Sequence, residues 1–187
     1  MKRYILAVTG ASGMPYAVEL HRRLLALPGS EVHVICSDAA REVLKIETAS
    51  PDVFERQGGP PLYRENDIGA PMASGSWIHQ GLVICPCSMA TLAAVGNGLC
   101  HNLIHRAADV SLKEKRPLIL VPRETPLNQI QLQNMLTAAR AGATILPACP
   151  GFYHRPESIT DLVRHIVGRI LDHLDIDNSL CPRWGDG

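Results

Sequence analysis

Tyr4-Ile5-Leu6-Ala7-Val8 is apolar without a break, and this feature constrains the fold more than any other. A strand with one wet face alternates polar and apolar residues. A continuous apolar run is expected of a strand covered on both faces, as in a parallel sheet. Thr9-Gly10-Ala11-Ser12-Gly13 ends the run. Ala17, Leu20, Leu24 and Leu25 then recur at helical spacing to about Leu27, where Pro28-Gly29 stops the helix.

The same alternation repeats along the chain. Residues 32–36 read as a second strand, with Ser37 placed to cap a helix that begins near Asp38. Residues 82–85 resume the sheet, and Ser88 is placed to cap a short helix. A helix from about Asn102 to Lys115 leads to a strand at 117–121. A helix from about Asn128 to Ala141 leads to a strand at 143–146. The last helix, from Ser158 to about Leu174, carries the stripe Ile159, Leu162, Val163, Ile166, Val167, Ile170 and Leu171. Residues from about 50 to 78 are rich in Pro and Gly and lack periodicity. A loop of that length is usually functional or packs on a neighbour.

Strands alternating with helices predict an α/β fold with a parallel sheet and right-handed crossovers. The 187 residues are one domain's length, so residues 1–187 are expected to form a single domain. The tail from about 175 to 187 is expected to pack on a neighbour or over the site. Lys plus Arg and Asp plus Glu are both 18, which leaves no basic footprint for nucleic acid and no polybasic membrane patch. No apolar stretch reaches the ~18 residues that would span a bilayer. There is no signal peptide pattern after Met1-Lys2-Arg3, so the expected compartment is the cytoplasm. Charged residues are only 19% of the chain, a low figure that fits surface buried between subunits. The six cysteines are expected to be reduced and mostly buried. Cys85-Pro86-Cys87 is C-x-C with no second pair, which argues against zinc or redox chemistry there.

Ligands of open parallel sheets bind beyond the carboxyl ends of the strands. Those ends carry the Thr9 to Gly13 turn, Ser37, residues 86–91, Pro122-Arg123-Glu124, and residues 147–153, so nearly every special residue falls on one rim. Gly10 and Gly13 let the backbone turn tightly and come close to a ligand. The helix after them offers unpaired N–H groups to an anion. Their spacing, G-x-x-G, fits neither the dinucleotide fingerprint nor a P-loop, and Ser12 reads equally well as a simple helix cap. Three hydroxyl-bearing helix starts on one rim favour a phosphorylated ligand. Arg123-Glu124 reads either as a surface ion pair or as an anion-binding Arg beside a carboxylate placed for proton transfer. Lys113, Arg106, Tyr153 and Arg169 add cations and a hydroxyl. His101 and His105 lie four apart, but Asn102 follows His101, so H-E-x-x-H is ruled out and an interface or surface role ranks above a metal. There is no Asp-rich run of the kind that ionises an allylic diphosphate through magnesium.

These residues resemble the flavin prenyltransferase family, the UbiX type, over nearly the whole chain. The resemblance is carried by the Thr9 to Gly13 turn, Ala73-Ser74-Gly75-Ser76, Cys85-Pro86-Cys87-Ser88, Arg106-Ala107-Ala108-Asp109-Val110 and Leu112-Lys113-Glu114. It continues in Leu120-Val121-Pro122-Arg123-Glu124-Thr125-Pro126-Leu127, Pro150-Gly151-Phe152-Tyr153-His154 and Arg183-Trp184. Residues 50–66 match poorly, and Met14-Pro15 departs from the family pattern at a place where Pro suits a first helical turn.

The resemblance implies a Rossmann-like three-layer α/β/α sandwich with a mostly parallel sheet, bound FMN, and a dodecamer with active sites between subunits. It implies transfer of a dimethylallyl group from dimethylallyl monophosphate to N5 and then C6 of reduced FMN, without a metal. The product is the prenylated FMN used by UbiD-type decarboxylases. By motif, Gly10, Ala11, Ser12, Ser37, Ser88, Met89, Ala90, Thr91 and Arg123 would contact FMN. Arg106, Lys113, Tyr153 and Arg169 would hold the substrate phosphate, and Trp184 would line the prenyl pocket. Glu124 would shuttle protons, with Ser12 near the reacting flavin edge. Two alternatives stand beside this. One is an FMN-dependent cysteine-type decarboxylase, whose P-x-A-S-A-N-T pattern lacks its Asn here. The other is a non-catalytic flavin carrier, which has no need of Glu124 or the phosphate-holding set.

Overall fold

The computed structural model describes residues 1–50, 52–55 and 59–185. Its elements follow in the order β1 (Lys2–Val8), α1 (Met14–Leu25), β2 (Ser30–Cys36), α2 (Asp38–Glu47), β3 (Tyr63–Arg64), β4 (Gly81–Cys87), α3 (Met89–Gly96), α4 (Leu103–Lys113), β5 (Leu118–Pro122), α5 (Gln129–Arg140), β6 (Thr144–Ile145) and α6 (Ile159–Asp172). The sheet runs β3-β2-β1-β4-β5-β6, and every pairing is parallel. This is the doubly wound, Rossmann-like order, in which the chain reverses direction across the sheet between β1 and β4.

Strand alternation sorts the core into two layers. Tyr4, Leu6 and Val8 pack with Leu20 and Leu24 of α1, Leu44 of α2 and Ile166 and Ile170 of α6. Ile5 and Ala7 pack on the other face with Leu92 of α3, Leu103 and Ala107 of α4 and Ala138 of α5. Both faces of β1 are therefore covered, which is why its sequence shows no polar alternation.

One detail departs from the sequence expectation. The segment 50–78 contributes the edge strand β3, whose two residues are too few to show a period. α1 begins at Met14, with Pro15 in its first turn as expected. The register is in phase at the strand ends: Val8 pairs with Cys36, and Cys87 with Pro122. The turns after β1, β2, β4 and β5 therefore leave the sheet along one edge. The helices run antiparallel to the strands, so their carboxyl ends lie at the other edge. A Cβ on Gly81 at the start of β4 would meet the end of the Leu174 side chain, just past α6, which would have to shift.

Candidate functional site at the β1–β4 switch

Gly13 takes φ 122°, a conformation that favours glycine, and serves as the N-cap of α1 without any side-chain cap. Its packing partners decide the other glycine. A Cβ on Gly10 would stand 2.6 Å from the Cβ of Ala39 in α2, so Gly10 is required by the fold itself. The two N–H groups at the start of α1 are already paired. The Glu47 Oε2 accepts hydrogen bonds from the backbone N–H of Gly13 and of Met14, each at 2.9 Å. Pro15 has no N–H to offer, and Tyr16 N–H donates to the Gly13 carbonyl. Burial alone raises the Glu47 carboxyl. The Ser12 hydroxyl, these two N–H groups and the Arg123 charge outweigh that and hold it below the usual carboxylate range. The cradle expected to receive a ligand anion is thus filled by a carboxylate of the chain, and Ser12 is bonded to that carboxylate rather than capping the helix.

α2 is arranged in the same way. Ser37 Oγ accepts from Ala40 N–H at 3.0 Å, and Glu65 Oε1 accepts from Asp38 N–H at 2.9 Å. α3 differs. Ser88 Oγ accepts from Thr91 N–H at 3.3 Å and donates to Thr91 Oγ1 at 3.0 Å. The N–H groups of Met89 and Ala90 have no partner among the described residues. An anionic group fits there, against the positive end of the helix.

Thr9 joins the two loops at the switch point. Its Oγ1 donates to the Pro86 carbonyl at 2.8 Å and accepts from Ser88 N–H at 2.7 Å. From β5, Arg123 Nε donates to the Ser12 carbonyl at 3.2 Å, so Arg123 spans to the β1–α1 turn instead of pairing with Glu124. Glu124 is exposed, and its Oε1 accepts from Thr125 N–H at 3.0 Å. Gly10, Ala11, Ser12, Ser37, Ser88, Met89, Ala90, Thr91, Arg123 and Glu124 all follow the carboxyl ends of strands on this one edge. A flavin phosphate fits the open start of α3, and the turn at Gly10 to Gly13 presents a nearly side-chain-free backbone beside it.

The remaining cations do not gather on that edge within one chain. Arg106 and Lys113 are on α4, on the α3–α5 side of the sheet. Arg106 Nε donates to the Ala73 carbonyl at 3.1 Å and its Nη1 pairs with Asp109 at 2.8 Å. Lys113 pairs with Glu114 at 3.1 Å beside Gly75. Tyr153, Arg169 and Trp184 lie on the α1–α6 side, in a cavity of about 550 Å³ between α6 and the tail. Trp184 meets Tyr153 edge-on with ring centroids 5.4 Å apart. Asp172 holds Arg169 at 2.8 Å, Arg183 at 3.0 Å and Asn178 at 3.0 Å, which ties the tail to α6.

All six cysteines are free. Cys36, Cys85 and Cys87 are buried, whereas Cys100 and Cys149 are exposed and Cys181 is half-buried. The expectation of mostly buried thiols therefore holds for half of them. Burial pushes Cys85 and Cys87 well above the usual thiol range, so neither is a nucleophile or an easy metal ligand. The His101 and His105 rings are 6.3 Å apart. No third ligand joins them among the described residues.

The sequence reading assigned no role to Glu47, Glu65 or Asp172. Each acts through a partner distant in sequence or without a motif. Thr9 opens the glycine motif, yet its bond to residue 86 shows only when the two loops are side by side.

A family model described as Flavoprotein matches residues 1–171. The chain is 47% identical to the flavin prenyltransferase UbiX of Pseudomonas aeruginosa, over 99% of this chain and 95% of that protein. The chain belongs to the flavin prenyltransferase family. Solved structures of the family agree with the fold. A dodecameric FMN-dependent UbiX-like decarboxylase from Escherichia coli O157:H7 superposes with a TM-score of 0.92 at 39% identity, covering 97% of this chain and 98% of that one. AnUbiX (PadA1), solved in complex with FMN and dimethylallyl pyrophosphate, superposes with a TM-score of 0.90 at 41% identity, covering 100% and 98%. No helix among the described residues is long and apolar enough to cross a membrane.

Proposed function

We propose that this chain is a flavin prenyltransferase that moves a dimethylallyl group from dimethylallyl monophosphate to N5 and C6 of reduced FMN. Its product, prenylated FMN, would serve a UbiD-type decarboxylase. The observation that carries this reading is the convergence of Arg123, Ser12 and Glu47 on the β1–α1 turn beside the open start of α3. Membership of the family and the FMN complex of its relative AnUbiX support it.

Reduced FMN, when bound, supplies the nucleophilic nitrogen and ring carbon. Gly10, Ala11, Ser12, Ser37, the Ser88 to Thr91 turn and Arg123 hold it. Breaking the allylic C–O bond leaves negative charge on the phosphate. Arg106, Lys113, Tyr153 and Arg169 stabilise that charge as fixed donors, in place of a metal. The Trp184 ring offers an aromatic face to the positive prenyl carbons. Glu124, exposed at the end of β5, accepts a proton and returns it as the reaction proceeds, with Ser12 as its neighbour on the flavin side.

The two groups of cations lie on opposite layers of one chain, so a site using both draws on more than one copy. α5 supports assembly, because Ile130, Leu132 and Leu136 are 73%, 51% and 44% exposed. A dodecamer of the kind solved for the E. coli relative meets both needs. In this reading residues 1–187 form one domain whose tail covers the site, and its free thiols suit the reducing cytoplasm.

The test is activation of a flavin-free UbiD-type decarboxylase. A mixture of this chain, reduced FMN and dimethylallyl monophosphate should restore decarboxylation, and the same mixture without the donor should not. Failure to activate a decarboxylase that responds to authentic prenylated FMN would contradict the proposal.

A further inference from the structure

His154, His165 and Cys181 come from three separate segments: the loop after β6, the middle of α6 and the tail. Each offers a ligand atom, and these atoms lie within 4.8 Å of one another. The reaction proposed above uses none of the three. The two imidazoles stack, with centroids 5.1 Å apart and planes 14° apart. Both ring nitrogens of His154 are buried without a hydrogen-bond partner. A buried polar group without a partner forfeits the hydrogen bonds it would make in water, so such a pair calls for a ligand.

We propose that His154, His165 and Cys181 form a binding site for a borderline-soft divalent cation such as zinc, with three protein ligands and one open position. Imidazole and thiolate are the donors this class of cation prefers, and three protein ligands leave the fourth tetrahedral position free. Cation binding takes up the Cys181 sulfur as a thiolate and releases its proton.

Both nitrogens of His165 have partners, and these fix its tautomer. Its Nδ1 accepts from Gly151 N–H at 3.2 Å, which leaves the ring proton on Nε2, 3.2 Å from the Tyr153 hydroxyl. A cation competes for Nδ1, while Nε2–H keeps its bond to Tyr153 and steadies the ring. Arg169 and Arg183 lie nearby, and Asp172 pairs with both. The site would fasten the tail to α6 and to the 150–154 loop, in the wall of the cavity that Tyr153, Arg169 and Trp184 also line.

The experiment uses the full chain, reduced and stripped by a chelator, without flavin or phosphate donor, so its outcome does not depend on the prenyltransferase reading. Titration with Co²⁺ should give one ion per chain, a thiolate-to-cobalt charge-transfer band and tetrahedral visible bands, all displaced by one Zn²⁺. Cys181→Ser should abolish the charge-transfer band. His154→Gln should weaken binding about tenfold or more, since even outer partners of a metal site are worth that much. Cys100→Ser and Cys149→Ser, which alter exposed thiols outside the cluster, should change neither. No thiolate band in the unaltered chain, or a band that survives Cys181→Ser or disappears with Cys100 or Cys149, would overturn the proposal.

Discussion

The Glu47 carboxylate at the end of α2 caps α1, accepting the N–H groups of Gly13 and Met14 at 2.9 Å each. One side chain thereby fixes the glycine turn, the start of a helix and the orientation of Ser12. Removing it leaves two N–H groups at a helix start unpaired. Glu47→Ala is expected to lower stability by about 1 kcal/mol, the usual worth of a helix cap. The carboxyl is held below its ordinary value of 4.5, so its contribution is complete above that pH and is lost as pH falls through the lower folded-state value. Urea unfolding at pH 7 and at pH 3 tests this: the gap between the two proteins should narrow at the lower pH. A gap that widens in acid would contradict the capping role.

Glu124 is exposed just past β5, its only bond among the described residues being to its neighbour Thr125. Glu124→Gln keeps size and shape but cannot carry a proton. Turnover should fall by about 10²–10⁴-fold, the typical contribution of a positioned acid–base group. FMN affinity, read by fluorescence quenching, should stay within about twofold if Glu124 contributes little free energy to flavin binding. Loss of FMN would reassign Glu124 to binding.

His79 lies buried in front of β4, its Nε2 3.5 Å from Ser111 Oγ. Burial and then the Arg116 charge push its pKa from 6.5 down to about 4. Between those values the unfolded chain binds the proton and the folded chain does not. Stability therefore falls as pH drops from about 6.5 to 4, by about 3 kcal/mol over the full window. Urea midpoints measured from pH 7 to pH 4.5 should fall less in His79→Gln than in the unaltered chain. An equal fall would place the acid sensitivity elsewhere.

Lys113 and Glu124 belong to opposite edges of the sheet, so the proposed site takes them from different copies. Lys113→Ala and Glu124→Gln should each be nearly inactive alone. Unfolded and reassembled together in equal amounts, they should recover about a quarter of normal activity, since random mixing in a symmetric oligomer completes that share of sites. No recovery above either single variant would mean that both residues act within one chain.

The layered fold was legible because the central strands β1, β4 and β5 are covered on both faces and so carry continuous apolar runs. The capping roles of Ser37 and Ser88 were legible too, since a cap acts within three residues, and the helix starts read at Asn102, Asn128 and Ser158 prove to be caps as well. β3 was not, being two residues long with no alternation to read. The occupant of the glycine turn was also hidden. Glu47 reaches it from 34 residues away, and no spacing rule links the end of one helix to the start of another. The division of the cations has the same origin. Arg106, Lys113, Tyr153 and Arg169 stand out as a set by residue type and motif, whereas their layer is decided by which face of the sheet each helix covers.

The most direct measurement is the mass of the flavin after anaerobic incubation of the purified chain with reduced FMN and dimethylallyl monophosphate. The flavin released by mild denaturation should be heavier by one dimethylallyl unit, and Glu124→Gln should slow its appearance. Unmodified FMN after full incubation, with the chain folded and flavin bound, would contradict the account.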